Sequence, residues 1–270
     1  MIHEKITLHQ DFPEAELITY IADDTSELKM PPRPAILILP GGGYSFLSDR
    51  EGEPVAKAFL AAGFNAAILK YGVGEFAKFP RPLIQTSLAM KYLRDNAEKF
   101  NIDPDRIFVI GFSAGGHLAA SLGTLWHNSD LFSGYDIPYG SNRPSGMVLS
   151  YPVISSGTFA HSKSFRNLLG NPNPTEEELN RYSIEYLVDE RTVPAFIWHT
   201  FTDKSVPVEN ALLMANALRR HNIPFELHVF TDGPHGLSLA TEQTCSAKES
   251  YINPHAAHWL TLCIEWLLSL

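Results

Sequence analysis

The sequence predicts an α/β fold in which a mostly parallel central sheet carries helices on both faces. Three observations lead there. Short β-branched or apolar runs alternate along the chain with segments of helical periodicity. Most of these runs are apolar at nearly every position, as strands covered on both faces must be. A Gly-x-Ser-x-Gly pentad, "GFSAG", joins one such run to one such helix.

The elements follow in order. "EKITLHQ" and "AELITYIAD" have no helix between them and alternate in polarity, so they are expected to open the sheet as an antiparallel hairpin. "AILILP" is a buried strand that runs into "PGGGY". The helix "PVAKAFLAAG" follows, with Gly63 as its left-handed cap, then the strand "NAAILKY". Pro82 is placed in the first turn of a helix over "PLIQTSLAMKYLRDNAEKF", which leads into the strand "RIFVIGF", the helix "GGHLAASLGTLW" and the strand "GMVLSYPV".

The stretch 154–192 is more polar than its surroundings. Thr175 and Glu178 form a capping box there, which predicts a helix start. The whole chain, 1–270, is read as one domain with this stretch as a small insertion over the carboxyl end of the sheet. "PAFIWHT", "VENALLMANALRRHN" and "FELHVFT" then give strand, helix and strand. In the last segment Trp259, Leu262, Cys263, Trp266 and Leu267 recur at three- and four-residue spacing, the mark of a docked terminal helix.

Bulk properties narrow the function. At 44% hydrophobic and 19% charged, the 270 residues suit a globular protein with a substantial core and contain no long apolar span. A net charge of −9 without a basic stretch argues against nucleic acid as a partner. "MIHEKITLHQDF" has acidic residues and alternation where a secretion signal needs a basic start and an apolar run, so a cytoplasmic location is expected and no membrane association. Cys245 and Cys263 are expected to be thiols, and the eleven histidines form no metal-ligand pattern; neither a metal nor a cofactor is expected.

The pentad carries the chemistry. Glycines on both sides of Ser113 allow a sharp strand-to-helix turn that presents the hydroxyl at the carboxyl end of the sheet, where ligands bind in open α/β folds. A serine hydroxyl needs a positioned base, and that base a carboxylate to orient it. Asp203, after "PAFIWHT", and His235, after "FELHVFT", supply them in the chain order this turn requires. Asp232 is read as a turn former, and His117, His199 and His228 as structural. Acyl transfer also develops an oxyanion. The expected donors are the amides of Ala114, Gly42 and Gly43. Tyr44, beside the glycine loop, and Phe112, before the nucleophile, are candidate pocket residues, as are the apolar side chains Phe159, Phe165, Leu168 and Leu169 of the insertion.

With "LPGGGY", "NIDPDRIFVIGFSAGGHLAAS" and "HTFTDKSVPVENALLMANALRRHNIPFELHVFTDGPHGLS" in hand, the chain resembles the α/β-hydrolase superfamily, specifically small prokaryotic carboxylesterases of the acetyl esterase and acetyl-xylan esterase type, with hormone-sensitive-lipase-like relatives. The resemblance implies the same triad and oxyanion residues, and short-chain, acetyl-like esters as substrates, acetylated sugars among them. It departs from the lipase-like members at two points. Pro40 stands where they usually carry His before the three glycines, and Tyr71-Gly72 where they carry Tyr-Arg. A small serine peptidase or amidase, or an arylformamidase, would use the same residue order. A non-catalytic binding protein of this fold would usually have lost a triad member.

Overall fold

The computed structural model describes residues 1–25, 27 and 29–270. One eight-stranded sheet organises them, with strand order β1-β2-β4-β3-β5-β6-β7-β8. The strands are β1 (Lys5–Thr7), β2 (Glu16–Tyr20), β3 (Arg33–Leu39), β4 (Asn65–Lys70), β5 (Ile102–Phe112), β6 (Met147–Ser150), β7 (Ala195–Thr200) and β8 (Phe225–Phe230). β1 and β2 pair antiparallel, as does β2 with β4, and the rest of the sheet is parallel.

Both faces of the central strands are covered. Leu37, Leu69, Val109, Leu149 and Ile197 pack into one apolar cluster, while Ile36, Ile68, Phe108, Val148 and Phe196 pack into another. Successive strand residues point to opposite faces, so a run such as "AILIL" must be apolar throughout to serve both. The first cluster lies under α2 (Arg81–Asp95), α3 (Ala114–Leu125) and α6 (Glu209–Arg220), and the second under α1 (Glu53–Ala61) and α7 (Trp259–Ser269). Trp198 of β7 and Trp259 of α7 stack with centroids 5.0 Å apart, an anchor for the terminal helix of about 1 kcal/mol beyond its buried area. β8 is an edge strand, half-exposed along most of its length, which accounts for its more polar sequence. Among the described residues no helix is long and apolar enough to cross a membrane.

The end of α2 and the content of the insertion differ from the sequence reading. α2 stops at Asp95, short of the predicted Phe100, because the chain must turn back to enter β5, and Ile102 donates to the Ala97 carbonyl in doing so. Between β6 and β7 the insertion holds α4 (Ser162–Leu169), which the sequence did not reveal, as well as the short α5 (Glu176–Asn180) behind its capping box. In that box Thr175 Oγ1 accepts from the Glu178 amide at 3.2 Å, and Glu178 Oε2 from the Thr175 amide at 2.8 Å.

Candidate active site

β5 delivers Ser113 to the carboxyl end of the sheet, and the turn there leaves no room for side chains on its flanks. A Cβ on Gly111 would lie 2.0 Å from the Gly115 carbonyl oxygen, and one on Gly115 would lie 2.1 Å from that of Leu39. Both obstacles are backbone, which cannot swing aside. Ser113 itself is held at φ 53°, a conformation that costs roughly 1–3 kcal/mol and persists only because the surroundings enforce it. Gly115→Ala is therefore expected to cost about 3 kcal/mol or more of stability. A melting curve unchanged from wild type would show that the turn yields more easily than these contacts imply.

The loops after β7 and β8 bring the two partner residues to the serine. His235 Nε2 lies 2.8 Å from Ser113 Oγ, and His235 Nδ1 lies 2.6 Å from Asp203 Oδ2. Asp203 Oδ1 accepts the amides of Ser205 at 2.9 Å and Val206 at 3.0 Å, which fixes the carboxylate plane. Burial opposes the ionisation of Asp203. Hydrogen bonds from His199 and His235, the charge on His235 and the Val206 amide outweigh it and hold the carboxyl well below the usual range. The arrangement can move a proton from hydroxyl to imidazole while the carboxylate stays charged.

The loop after β3 lies beside this chain of hydrogen bonds. Tyr71 donates to the Pro40 carbonyl at 2.6 Å, Gly41 donates to Glu51 Oε2 at 2.8 Å, and the Gly42 carbonyl accepts the Ser45 amide at 3.0 Å. Asn167 of α4 donates to the Gly43 carbonyl at 2.7 Å. Among the described residues no acceptor takes the amides of Gly42 or Gly43. Ala114 opens α3, so its amide has no intrahelical partner either. An added Cβ on Gly42, at φ 136°, would lie 2.0 Å from the Phe46 oxygen.

A cleft of about 320 Å³ opens above Ser113 and His235, with Gly42, Gly43, Phe46, Arg50, His161, Lys163 and Tyr251 among its walls. A larger cavity of about 610 Å³ lies between the opening strands and the start of α1. It contains no nucleophile and base in contact, so the smaller cleft is the candidate site. Arg50 is held in the cleft wall by the carbonyls of Thr244 and Gly236 and by stacking on Tyr251 at 4.3 Å. His161 Nδ1 lies 2.8 Å from Ser164 Oγ. Among the described residues no cluster of three or more His, Cys, Asp or Glu side chains could hold a metal ion.

Tyr44 and Phe112 do not line this cleft. Tyr44, at φ 59°, turns its ring inward, where its hydroxyl meets His117 Nδ1 at 2.9 Å and its ring packs on Tyr71. Phe112 is fully buried, packed on Tyr151 and Trp259, because strand alternation puts it in the cluster under α1 and α7. In the insertion Phe165 and Leu168 are likewise core, and the cleft wall comes from His161 and Lys163 instead. His117 is structural: Nε2 lies 2.9 Å from the Tyr182 carbonyl, and burial pushes its titration down to about 4. His199 is buried in β7, yet its Nε2 reaches both the Val206 carbonyl at 2.9 Å and Asp203 Oδ2 at 3.3 Å. Its four-residue separation from Asp203, across a strand end, was the available signal. Asp232 accepts from Thr202 at 2.8 Å as a turn residue, away from the serine. Cys245 and Cys263 are free thiols.

Residues 25–218 match the BD-FAE family model. Endo-1,4-beta-xylanase B of Butyrivibrio fibrisolvens is 44% identical over 216 residues, which are 78% of this chain and 33% of the xylanase. Acetylxylan esterase of Xylanibacter ruminicola is 29% identical over 244 residues, 88% of this chain and 47% of the esterase. The chain thus spans less than half the length of either relative. The crystal structure of an acetyl ester-xyloside bifunctional hydrolase from Caldicellulosiruptor lactoaceticus superposes with a TM-score of 0.84 at 39% identity, covering 98% of this chain and 96% of that one.

Proposed function

The chain belongs to the BD-FAE family and has the α/β-hydrolase fold, and from that premise we propose that it is a serine carboxylesterase that removes short acyl groups, acetyl foremost, from small esters including acetylated sugars. The observation that carries the reading is the continuous hydrogen-bonded chain Ser113, His235, Asp203 at the floor of an open cleft. The acetylxylan esterase and the acetyl ester-xyloside hydrolase support the acetyl-sugar side of it. So does the wall of the cleft, where hydroxyl, cationic and aromatic side chains suit a hydroxyl-rich ring better than a long alkyl chain.

In this reading Ser113 Oγ attacks the ester carbonyl as His235 Nε2 takes its proton. The tetrahedral oxyanion is met by the amides of Gly42, Gly43 and Ala114. The intermediate collapses to an acyl-enzyme, and the departing alkoxide takes the proton back from His235. A water then repeats the sequence: His235 removes its proton, the oxyanion reforms, and Ser113 leaves with that proton as the acid is released. Segment 154–192 serves as one wall of the site within a single domain. The reading includes a cytoplasmic location, with no nucleic acid or membrane partner.

Hydrolysis of p-nitrophenyl esters from acetate to decanoate tests the proposal. Activity is expected to fall steeply beyond butyrate and to extend to acetylated xylo-oligosaccharides. Turnover of amides or formamides in preference to esters would overturn it.

A further inference from the structure

Beneath the cleft lies a buried carboxylate that the reaction above leaves unused. Glu51 ends the turn Asp49–Glu51 just before α1 and is 3% exposed. Its Oε2 accepts the Gly41 amide at 2.8 Å, and its Oε1 accepts the Tyr151 hydroxyl at 2.7 Å. The Tyr151 oxygen in turn accepts the amide of Ser238, three residues beyond His235, at 2.9 Å. The Tyr151 ring stands edge-on to the His235 ring, with centroids 5.1 Å apart. A Cβ on Gly41 would lie 2.8 Å from Glu51 Oε2 and 3.0 Å from Ser113 Cβ, so the carboxylate approaches the nucleophile across a single glycine.

Both oxygens act as acceptors, the pattern of an ionised carboxylate. Among the described residues no Lys, Arg or His side chain forms an ion pair with it. Arg50, its neighbour in sequence, is committed to the Thr244 and Gly236 carbonyls and to Tyr251. A buried charge hydrogen-bonded by neutral groups alone is costly, and its cost falls whenever positive charge develops nearby. Around His235 stand Asp203 from the loop after β7, Ser113 from the turn after β5, Tyr151 from the segment after β6, His161 from the head of α4, and Glu51 with Arg50 from the segment before α1; Lys163 and Tyr251 share its cleft, and Lys204 and Asp232 share an adjoining hollow. Of the carboxylates among them, Asp203 and Glu51 are buried and Asp232 is exposed.

We propose that Glu51 is a positioning residue of the reaction: it ties the glycine loop to the histidine loop through Gly41, Tyr151 and Ser238, and it sets a second negative charge beside the imidazolium that His235 becomes. The proposal rests on the serine-esterase reading. Burial raises the Glu51 titration, and the Tyr151 hydroxyl, the Gly41 amide and the charges of His235 and Arg50 each pull it back.

Three measurements on Glu51→Gln and Tyr151→Phe test it. With p-nitrophenyl acetate, Glu51→Gln is expected to lose roughly tenfold to a hundredfold in kcat, with KM changed by less than about threefold. The acid limb of kcat/KM, and the His235 titration followed by NMR, should both move to lower pH by about half a unit or more, since an anion that favours the imidazolium is gone. Tyr151→Phe cuts the tie but keeps the charge, so it should lower kcat with a smaller move in the titration. Wild-type kcat with an unmoved titration in Glu51→Gln would overturn the proposal. If that variant fails to fold by circular dichroism, wild-type kcat in Tyr151→Phe overturns it. The NMR titration does not depend on ester turnover. A wild-type protein that neither hydrolyses esters nor labels at Ser113 with a fluorophosphonate would sink the esterase reading, while the coupling of Glu51 to His235 would still be read.

Discussion

Ser113→Ala is expected to lower kcat for p-nitrophenyl acetate by about a millionfold, leaving only the modest acceleration that binding and oxyanion donors supply without a nucleophile. The size follows from the geometry. Ser113 Oγ is the oxygen to which His235 Nε2 points, at 2.8 Å, so the substitution removes both the attacking atom and the proton the base would take. The fold should hardly register the change. Ser113 is 7% exposed and faces the cleft, and alanine at φ 53° bears the same backbone strain as serine. Steady-state rates and a melting curve on one preparation check both halves. Residual turnover within a hundredfold of wild type would mean that another group attacks the ester.

Asp203→Asn is the second large effect, about ten-thousandfold in kcat with little change in KM. The surrounding amides decide how the new side chain must sit. Ser205 and Val206 donate to Oδ1, so the asparagine carbonyl oxygen is held there and its NH2 group is turned toward His235 Nδ1. Against a donor, Nδ1 must present its lone pair, which moves the ring proton to Nε2. The nitrogen facing Ser113 is then already protonated and cannot act as base. His199 Nε2, which donates to the Val206 carbonyl, meets the same NH2 group at the old 3.3 Å contact, and a flip that relieved this would set the NH2 group against the Ser205 and Val206 amides. A rate loss under tenfold would show that the histidine does not depend on this carboxylate for its tautomer.

Much of the fold could be read from the sequence because its signals are local. The run "AILIL" must be buried on both faces, and "GFSAG" is forced by backbone atoms 2.0–2.1 Å from where side chains would begin. Chain order then brought Asp203 and His235 to neighbouring strand ends. What escaped was set by direction and by long-range contact. Nothing in "GGGY" says that Tyr44 turns inward at φ 59°, and the face on which Phe112 lies depends on the register of β5. Glu51 meets Tyr151 across 100 positions, and Arg50 meets Gly236 across 186, through loops whose composition carries no periodicity. α4 is eight residues long and mixes Ser, Lys, Arg and Asn with three apolar side chains, too short a pattern to stand out.

Asn167 carries a consequence for how such a protein can diversify. It sits on the helix that offers His161 and Lys163 to the cleft, yet its side chain holds the Gly43 carbonyl. The segment facing the substrate and the prop beneath the glycine loop are therefore one piece of chain. A segment borrowed from another hydrolase to change substrate preference would arrive without that prop, and the borrowed enzyme would slow for a reason unrelated to its new pocket. Transplants that keep an asparagine at this helical position are the ones that can trade specificity without trading rate.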